Sequence, residues 1–523
     1  MKTILTSVFF FMSVLLFAQE KKQANSKPNI IFILSDDHAT DAITAYSDRF
    51  KDIAPTPNID RIAEEGAILN NMFSTNAICG PSRASIITGK YSHNNGYYKN
   101  YKGGYFDNTQ WTYPKALQKS GYQTAMVGKW HLASEPTGFD YFKYHIDHGE
   151  QGVYWDPTYI ENGKPVKEEG YATNITTDFA LNWLNQRDND KPFCLLLQYK
   201  APHREWAPDT KYKELWKNED LPIPSTFTDQ YEGREKTAGN THMTMDFLNR
   251  RDLKLEIPDS LSKKELGKWL DFGNKPDQLV SVDNLQGKAL KEWKYQRFIK
   301  DYLATIKSVD DNIGRVLAYL KENSLEDNTI IVYASDQGFF LGDHGWFDKR
   351  FMYEEALRMP FVIRYPKLIK PGTVVNDVIS NIDIAPTILD LTNAKIPAEI
   401  QGRSFAQNLE ENTPENWRQS MYYHYYEYPL WHHVQPHYGI RTDRYKLIHF
   451  YYDIDVWELY DLHNDPMELH NLISSKKHKP LVKKLKKELN HLKSFYGNNM
   501  TFAELRAITD KDYGGLESGK DEN

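Results

Sequence analysis

The chain has 523 residues, of which 40% are hydrophobic and 14% aromatic, so it can bury a sizeable core and does not have a disordered composition. Its formal net charge is -7, from 64 basic and 71 acidic residues. Nucleic-acid-binding proteins normally carry a basic field, so this weak acidity argues against a nucleic-acid partner. It does not exclude an anionic ligand, because a local cationic pocket can form on an acidic protein.

The N-terminal residues have the pattern of a signal peptide. Lys2 supplies a positive charge, the residues from Ile4 to Phe17 are mostly apolar, and Ala18 is a small residue before Gln19. This apolar run is short for a membrane span, and no later stretch is long and apolar enough to be one. We therefore predict a signal peptide over residues 1–18 and an exported protein without stable membrane insertion, located in the periplasm or secreted.

Strand and helix patterns alternate along most of the chain. Short apolar runs without alternation predict strands buried on both faces of a sheet, at residues 29–34, 193–199, 329–334 and 359–364. Spaced apolar residues predict helices at 58–65, 111–119, 295–323 and 382–391. This order predicts an α/β fold with a large, mainly parallel central sheet flanked by helices.

A smaller second unit is predicted at the C-terminal end. A polar stretch with Pro414 separates the two units, and residues 438–451 and 457–462 alternate like antiparallel strands. Residues 481–492 form an amphipathic helical pattern. We predict a main α/β domain over 27–410, a C-terminal α+β subdomain with an antiparallel sheet over 415–500, and a flexible tail over 510–523.

Polar residues follow directly after three of the predicted strands. They are Asp36, Asp37, His203, Asp336 and Gln337. Ligands of open α/β sheets bind at the carboxyl ends of the strands, so these residues are expected to converge. Each residue alone has a plainer interpretation, since an Asp after a strand is often a helix cap and a lone His is often structural.

Cys79 lies in the polar segment Cys79-Gly80-Pro81-Ser82-Arg83. Pro81 suits the first turn of a helix, which places Cys79 at a helix N-terminus that favours anions and developing negative charge. The alternative is a capped helix with an incidental cysteine. Cys194 belongs to an apolar strand pattern, where a free cysteine packs as a small hydrophobe. A Cys79–Cys194 disulfide is the other option for an exported protein, and we consider it less favoured.

The Cys79 segment resembles the maturation motif of type I sulfatases, Cys-x-Pro-Ser-Arg followed by Leu-Thr-Gly-Arg. The second half here is Ile87-Thr88-Gly89-Lys90, with Lys in place of Arg. Further landmarks of that family match in order over about residues 29–470, namely Asp36-Asp37, Lys129-Trp130-His131, Ala201-Pro202-His203, Asp336-Gln337-Gly338, Lys349, Ile382–Thr387 and Gln401–Ser404. One motif is weak evidence, whereas an ordered set is strong.

The resemblance implies an alkaline-phosphatase-like sandwich and a nucleophile made by a maturation enzyme, which oxidises Cys79 to formylglycine (3-oxoalanine). It also implies a catalytic set of Cys79, Arg83, Lys129, His131, His203 and Lys349, and a calcium site formed by Asp36, Asp37, modified Cys79, Asp336 and Gln337. Within that set, His131 would assist sulfate release and His203 would protonate the leaving alcohol. Calcium prefers oxygen ligands, which agrees with the residue types.

The expected substrate is a sulfated carbohydrate of ulvan or glycosaminoglycan type. Residues 426–442 resemble bacterial polysaccharide sulfatases, including N-acetylglucosamine-6-sulfatase-like, iduronate-sulfatase-like and ulvan-degrading enzymes. We predict substrate contacts from His344, Arg350, His433 and His437, although packing is an equal alternative for most aromatic residues of this region. Two other functions stay open here: a phosphonate or phosphodiester hydrolase of the same superfamily, and a noncatalytic carbohydrate-binding protein.

Overall fold

The described part of the protein, in a computed structural model, comprises residues 27–100, 105–255, 281–282, 284–429 and 432–511. The signal peptide predicted at 1–18 lies outside these residues, as do residues 512–523 of the predicted tail. Among the described residues, no helix combines the length and apolar character that a membrane span requires.

The strands are short and interspersed with helices over the first four hundred residues. They are β1 (Asn29–Ser35), β2 (Ala67–Leu69), β3 (Met72–Phe73), β4 (Gln123–Gly128), β5 (Tyr141–His145), β6 (Thr158–Glu161), β7 (Lys164–Lys167), β8 (Phe193–Tyr199), β9 (Thr329–Ser335), β10 (Phe340–Leu341), β11 (Phe347–Asp348), β12 (Phe361–Arg364), β13 (Thr373–Val375), β14 (Ile379–Ser380), β15 (Ser420–Tyr425), β16 (His437–Thr442), β17 (Tyr445–Phe450) and β18 (Val456–Asp461).

The α-helices vary from single turns to one long helix. They are α1 (Pro57–Glu64), α2 (Cys79–Thr88), α3 (Ser92–Asn95), α4 (Tyr113–Lys119), α5 (Asp147–Glu150), α6 (Ala172–Gln186), α7 (Arg250–Leu253), α8 (Gly287–Glu322), α9 (Glu354–Leu357), α10 (Ile384–Leu391), α11 (Ala406–Leu409), α12 (Lys479–Phe495) and α13 (Phe502–Asp510).

The described strands form a large sheet in the order β13-β2-β12-β9-β1-β8-β4-β5-β6-β7. The central strands β9, β1, β8, β4 and β5 are parallel, which confirms the predicted fold class. β12 was predicted as one more strand of a mainly parallel sheet, but it pairs antiparallel with both β9 and β2. The apolar run Phe361–Arg364 predicted that the strand is buried, but not whether it runs parallel or antiparallel to its neighbours. That direction depends on how the chain connects back to the sheet.

Helices cover both faces of this sheet. Along β1, Ile31 and Ile33 face a cluster with α1, α6 and α8, whereas Ile30, Phe32 and Leu34 face a cluster with α2, α4 and α10. Alternate strand residues point to opposite faces, so one apolar strand supplies both cores. The α8 pattern was predicted over 295–323, and the helix begins earlier, at Gly287, where its first turns are largely exposed.

A second sheet, antiparallel and ordered β15-β16-β17-β18, forms the C-terminal unit. One face packs with Trp346 and Tyr353 of the main unit, and the other packs with Leu485 and Leu489 of α12. The antiparallel sheet and the helix confirm the predicted elements. β15 was missed, because its buried Ser-Met-Tyr-Tyr-His-Tyr run has no clean alternation of polar and apolar residues.

Candidate active site

Two neighbouring strands bring the acidic residues together. β1 and β9 pair in parallel register with Ser35 opposite Ser335, so the residues that follow each strand leave the sheet side by side. The Asp37 amide donates to Asp336 Oδ1 at 3.2 Å, and Gln337 Nε2 donates to Asp37 Oδ1 at 2.5 Å. Asp36 and Asp336 are both fully buried. The sheet edge therefore holds three carboxylates and one amide in a closed cluster.

The first turn of α2 places Cys79 against this cluster. Cys79 Sγ lies 3.8 Å from Asp37 Oδ1, and every residue from Cys79 to Thr88 is buried. The helix ends at Gly89, whose φ of 65° is the left-handed conformation that terminates helices and favours glycine. Because the partial positive charge of a helix lies at its N-terminus, Cys79 occupies a position suited to an anion.

Arg83, one turn further along α2, links the cluster to the next strands. Its Nε lies 3.0 Å from Asp336 Oδ2, and its Nη1 donates to the Lys129 carbonyl and to Gln198 Oε1, each at 2.7 Å. A guanidinium carries several donors in a rigid plane, so these bonds hold the side chain in one orientation. Arg83 therefore carries a fixed positive charge beside Cys79.

Two lysines complete the positive side of the site. The Lys129 ammonium pairs with Asp36, and Lys349 Nζ lies 2.7 Å from Asp37 Oδ2. Both side chains are almost wholly buried. A lysine is buried in this way only when a partner compensates its charge, so the two ion pairs explain how both cations are held inside the protein.

Lys129 depends on the glycine before it. Gly128 has a φ of 104°, and a Cβ there would lie 1.8 Å from the Gln198 carbonyl oxygen. We expect Gly128→Ala to lower the free energy of unfolding by more than about 3 kcal/mol, through backbone strain and a clash with β8. Denaturant unfolding would measure the loss of stability.

Gly121→Ala is the matched control for this substitution. Gly121 also has a positive φ, 89°, but nothing lies within 4 Å of the position its Cβ would take. It should therefore cost about 1 kcal/mol, from the backbone conformation alone. Equal losses for the two variants would show that the close approach to β8 is unimportant.

The two histidines meet the cluster through different contacts. His203 Nδ1 bonds the Arg204 carbonyl at 2.7 Å, and its Nε2 lies 3.7 Å from Asp37 Oδ2. His131 Nε2 lies 2.9 Å from the side-chain amide nitrogen of Gln151. His131 has a φ of 55°, so the chain turns sharply as it leaves β4. The structure thus brings together all six residues predicted as catalytic.

Burial and charge act against each other in this cluster. Burial, together with the neighbouring Asp36 carboxylate, raises the pKa of Asp336 to about 8. Burial also raises the pKa of Asp37 to about 6, against the opposing effect of Lys349. Burial disfavours the charged form of Asp36, but the charges of Lys129 and Arg83 outweigh burial and hold its pKa well below the usual range. Burial and Asp36 raise the pKa of the Cys79 thiol well above its ordinary value.

The donor set fits a calcium ion. Asp36 Oδ1 and Gln337 Oε1 are buried oxygen acceptors without a hydrogen-bond partner among the described residues. Carboxylate oxygens of Asp36, Asp37 and Asp336 lie within 4.8 Å of one another. A cation would satisfy the acceptors and relieve the repulsion between the carboxylates. Oxygen ligands of this kind favour a hard cation such as Ca²⁺ over zinc.

Two of the predicted substrate contacts lie fully inside the protein. His344 is fully buried, with Nδ1 at 2.8 Å from Asp229 and Nε2 at 3.7 Å from Glu355. His437 is also fully buried; its Nδ1 donates to the Gln435 carbonyl and its Nε2 accepts from the Met352 amide. Both nitrogens of His437 are thus hydrogen-bonded within the protein, whereas the Nε2 of His344 has no hydrogen-bond partner among the described residues. Both substrate contacts stay predictions.

The other two predicted substrate contacts, Arg350 and His433, lie nearer the site or the protein surface. Arg350 Nη1 is 2.8 Å from Asp348 Oδ1, and Lys349 Nζ is 4.0 Å from the other oxygen of Asp348, so Arg350 adjoins the cationic site. His433 is half-buried and stacks on His242 at 4.5 Å between ring centroids. These positions leave both substrate contacts as predictions.

The described residues include both cysteines, and both are free. Cys194 lies inside β8, opposite Ile30 of β1 and Thr124 of β4. The disulfide alternative is therefore wrong. Cys194 packs as a small hydrophobe, as its apolar sequence context predicted.

Sequence reasoning missed three residues that shape the site. Gln198 orients Arg83, Asp348 pairs with Arg350 and lies 3.2 Å from His432, and Gln151 contacts both Lys129 and His131. Gln198 carries a signal in the sequence, as the polar residue near the end of an apolar strand. Gln151 carries none, because it belongs to a short irregular segment that becomes part of the site only on folding.

The fold and the site together define a hydrolase of the alkaline-phosphatase-like class with a cationic pocket for an anionic ester. The model of the sulfatase family matches residues 28–394, and the model "N-sulphoglucosamine sulphohydrolase, C-terminal" matches residues 342–494. The chain belongs to the sulfatase family and is a sulfuric ester hydrolase.

Individual relatives agree with this assignment. An N-acetylglucosamine-6-O-sulfatase of Bacteroides thetaiotaomicron is 46% identical, over 92% of this chain and 89% of that protein. The solved structure of BT4656 in complex with its substrate D-glucosamine-2-N,6-O-disulfate has a TM-score of 0.85 at 46% identity, over 91% of this chain and 99% of that chain. The phosphonate monoester hydrolase of Agrobacterium radiobacter, at 20% identity and a TM-score of 0.66 over 90% of this chain and 96% of that chain, shares the fold.

Proposed function

We propose that this sulfatase removes the 6-O-sulfate of a glucosamine unit, N-acetylated or N-sulfated, from a sulfated glycan during polysaccharide degradation. The observation that carries the proposal is the 46% identity over 92% of the chain to an N-acetylglucosamine-6-O-sulfatase. The match to BT4656, whose complex contains a 6-O-sulfated glucosamine, supports the same substrate.

The nucleophile in this proposal is formylglycine at position 79. A hydrated formylglycine supplies a hydroxyl that attacks sulfur and an aldehyde that can re-form to expel sulfate. Every residue from Cys79 to Thr88 is buried, so the maturation enzyme would have to reach Cys79 before the chain folds. The motif Cys79-Gly80-Pro81-Ser82-Arg83 supports this modification.

The remaining residues of the chain bind and orient the ester. Arg83, Lys129 and Lys349 surround Cys79 with positive charge, which stabilises the charge that develops on the sulfate oxygens. His203 directs Nε2 at the cluster, because its Nδ1 is bound to the Arg204 carbonyl, and we assign it the transfer of a proton to the leaving alcohol oxygen. Arg350 and His433 are assigned to the sugar hydroxyls.

A calcium ion belongs to the same proposal. Asp36, Asp37, Asp336 and Gln337 would hold it together with the modified residue 79. Bound there, the ion supplies positive charge that polarises a sulfate oxygen. Asp36 Oδ1 and Gln337 Oε1, which lack a hydrogen-bond partner among the described residues, support this assignment.

We also propose that the enzyme is exported and acts in the periplasm or the medium. The support is the charged and apolar pattern of residues 1–18. Sulfated polysaccharides and their fragments are met outside the cytoplasm, so the location agrees with the substrate class.

The test is a comparison of sugar esters. N-acetylglucosamine-6-sulfate and glucosamine-2-N,6-O-disulfate should each lose the 6-O-sulfate, with kcat/KM at least about 100-fold above that of N-acetylgalactosamine-6-sulfate, the C4 epimer. The matched 6-phosphate should react at least about 100-fold more slowly. Product analysis by NMR distinguishes 6-O from N-sulfate removal. Preferential loss of the N-sulfate, or faster phosphate turnover, would contradict the proposal.

A further inference from the structure

Gln151 is a half-buried link between two of the catalytic side chains. Its Oε1 lies 2.5 Å from Lys129 Nζ, and its Nε2 lies 2.9 Å from His131 Nε2. The residue follows α5 directly, and Glu150 ties this segment down, since Glu150 Oε2 accepts from the amides of Leu132 and Ala133, each at 3.1 Å. Gln151 and its neighbour Glu150 are therefore both bound to the segment that follows β4.

The orientation of the Gln151 amide follows from its neighbours. A lysine ammonium has only donors, so it must face the oxygen of the amide. The NH₂ group then faces His131, and an NH₂ group can only donate, so His131 Nε2 must accept. If the amide were flipped, its NH₂ group would face the Lys129 ammonium, and both groups can only donate. If His131 carried a proton on Nε2, that N–H would face the NH₂ group of Gln151, again with two donors and no acceptor. In the resting enzyme, His131 is therefore neutral with its proton on Nδ1.

His131 and His203 consequently present different atoms to the site. The Nδ1 of His203 faces a carbonyl oxygen, so it must carry a proton, and Nε2 is the atom that faces the acidic cluster. For His131 the protonated Nδ1 is the other ring nitrogen, and it is buried without a hydrogen-bond partner among the described residues. His203 thus offers Nε2 for transfer of a proton to the leaving alcohol, whereas His131 offers an N–H through Nδ1.

We propose that Gln151 is a positioning residue that fixes His131 as a hydrogen-bond donor through Nδ1. This donor meets an oxygen of the sulfate or of the nucleophile, while His203, protonated on both ring nitrogens at that step, gives its Nε2 proton to the leaving alcohol oxygen. The role assigned to the Nδ1–H rests on the proposed function, because it requires a sulfate ester in the site. The tautomer itself follows from Lys129, Gln151 and His131 alone.

Two substitutions at Gln151 separate this proposal from simple anchoring of Lys129. Gln151→Glu keeps the acceptor for Lys129, but it presents a carboxylate oxygen to His131 and so moves the proton to Nε2. Gln151→Ala removes both contacts and leaves His131 without a fixed tautomer. We expect kcat to fall about 10-fold for Gln151→Ala and about 100-fold for Gln151→Glu. An anchoring role alone predicts the reverse order, because only Gln151→Glu still holds Lys129.

The effect of the negative charge added by Gln151→Glu must be separated from the effect of the tautomer change. A negative charge near the sulfate weakens binding and so raises KM, whereas the tautomer change lowers kcat. Glu150→Gln, a charge change at the adjacent residue that keeps an oxygen for the Leu132 and Ala133 amides, should leave kcat within about 3-fold of the unsubstituted enzyme. A Gln151→Glu variant with higher kcat than Gln151→Ala would overturn the proposal.

The tautomer is measured directly by ¹⁵N NMR of the full-length enzyme labelled at histidine, with the His131 signals identified by comparison with His131→Asn. We expect a protonated Nδ1 and an unprotonated Nε2 at His131, and the opposite pattern in Gln151→Glu. A protonated Nε2 in the unsubstituted enzyme would refute the assignment even if both Gln151 variants failed to fold. If the enzyme shows the expected pattern but hydrolyses no sulfate ester, the proposed function fails and the tautomer assignment stands.

Discussion

Cys79→Ala is expected to lower kcat/KM for a sulfate ester by at least about 10⁴-fold, because alanine cannot be oxidised to the proposed formylglycine nucleophile. The substitution deletes one buried sulfur, so the free energy of unfolding should change by no more than about 2 kcal/mol. Steady-state kinetics and denaturant unfolding measure the two effects separately. Peptide mass spectrometry of the unsubstituted enzyme should show an aldehyde or its hydrate at position 79.

Cys194→Ala is the matched control for this experiment. Cys194 is equally buried but lies within the apolar interior of β8, away from the acidic cluster. It should lose about 1 kcal/mol of stability and keep kcat/KM within about 3-fold. A Cys79→Ala enzyme that retained activity close to that of Cys194→Ala would remove Cys79 from the mechanism.

Removal of divalent cations is expected to abolish turnover and to lower the melting temperature. Burial, and after it repulsion from the Asp36 carboxylate, raise the pKa of Asp336 to about 8, so the three carboxylates are costly to hold together without a cation. Calcium at 100 times its Kd would stabilise the folded protein by about 2.7 kcal/mol. Asp336→Asn should lose this stabilisation and lower kcat/KM by about 10³-fold, because the ion's charge is missing from the transition state. Differential scanning calorimetry with a chelator and with added calcium measures the shift.

Asp310→Asn is the control for loss of a buried carboxylate. Burial raises the pKa of Asp310 to about 6, yet its Oδ1 accepts from the amides of Asn58, at 3.1 Å, and Ile59, at 3.0 Å, in the first turn of α1. This variant should be less stable but should keep the full calcium-dependent shift. A melting temperature that does not respond to calcium in the unsubstituted protein would refute the calcium site.

The order of motifs along the chain was sufficient to predict the fold class and the reaction class. Buried parallel strands need apolar residues on both faces, so β1, β8 and β9 stand out as continuous apolar runs. The polar residues after those strands indicated the edge of the sheet at which the site forms. The helix N-terminus at Cys79 was predictable from Pro81, because proline suits the first turn of a helix.

Contacts between distant segments were not predictable in the same way. His344 and His437 had the residue type of substrate contacts, but only packing against Asp229, Glu355 and the C-terminal sheet showed that both are buried in the interior. The antiparallel direction of β12 and the presence of β15 also depended on neighbouring strands. Such features arise from pairs of residues far apart in sequence, and a local pattern contains no information about the partner.

By itself, then, the sequence determined which side chains are candidates for the chemistry, since their types and their places after strands and at a helix end are local properties. The tertiary structure alone decided how those side chains face one another. The register of β1 against β9 sets Asp36 beside Asp336, and the segment after α5 brings Gln151 between Lys129 and His131. The physical reason is that hydrogen-bond direction depends on the positions of both partners, and folding brings those partners together.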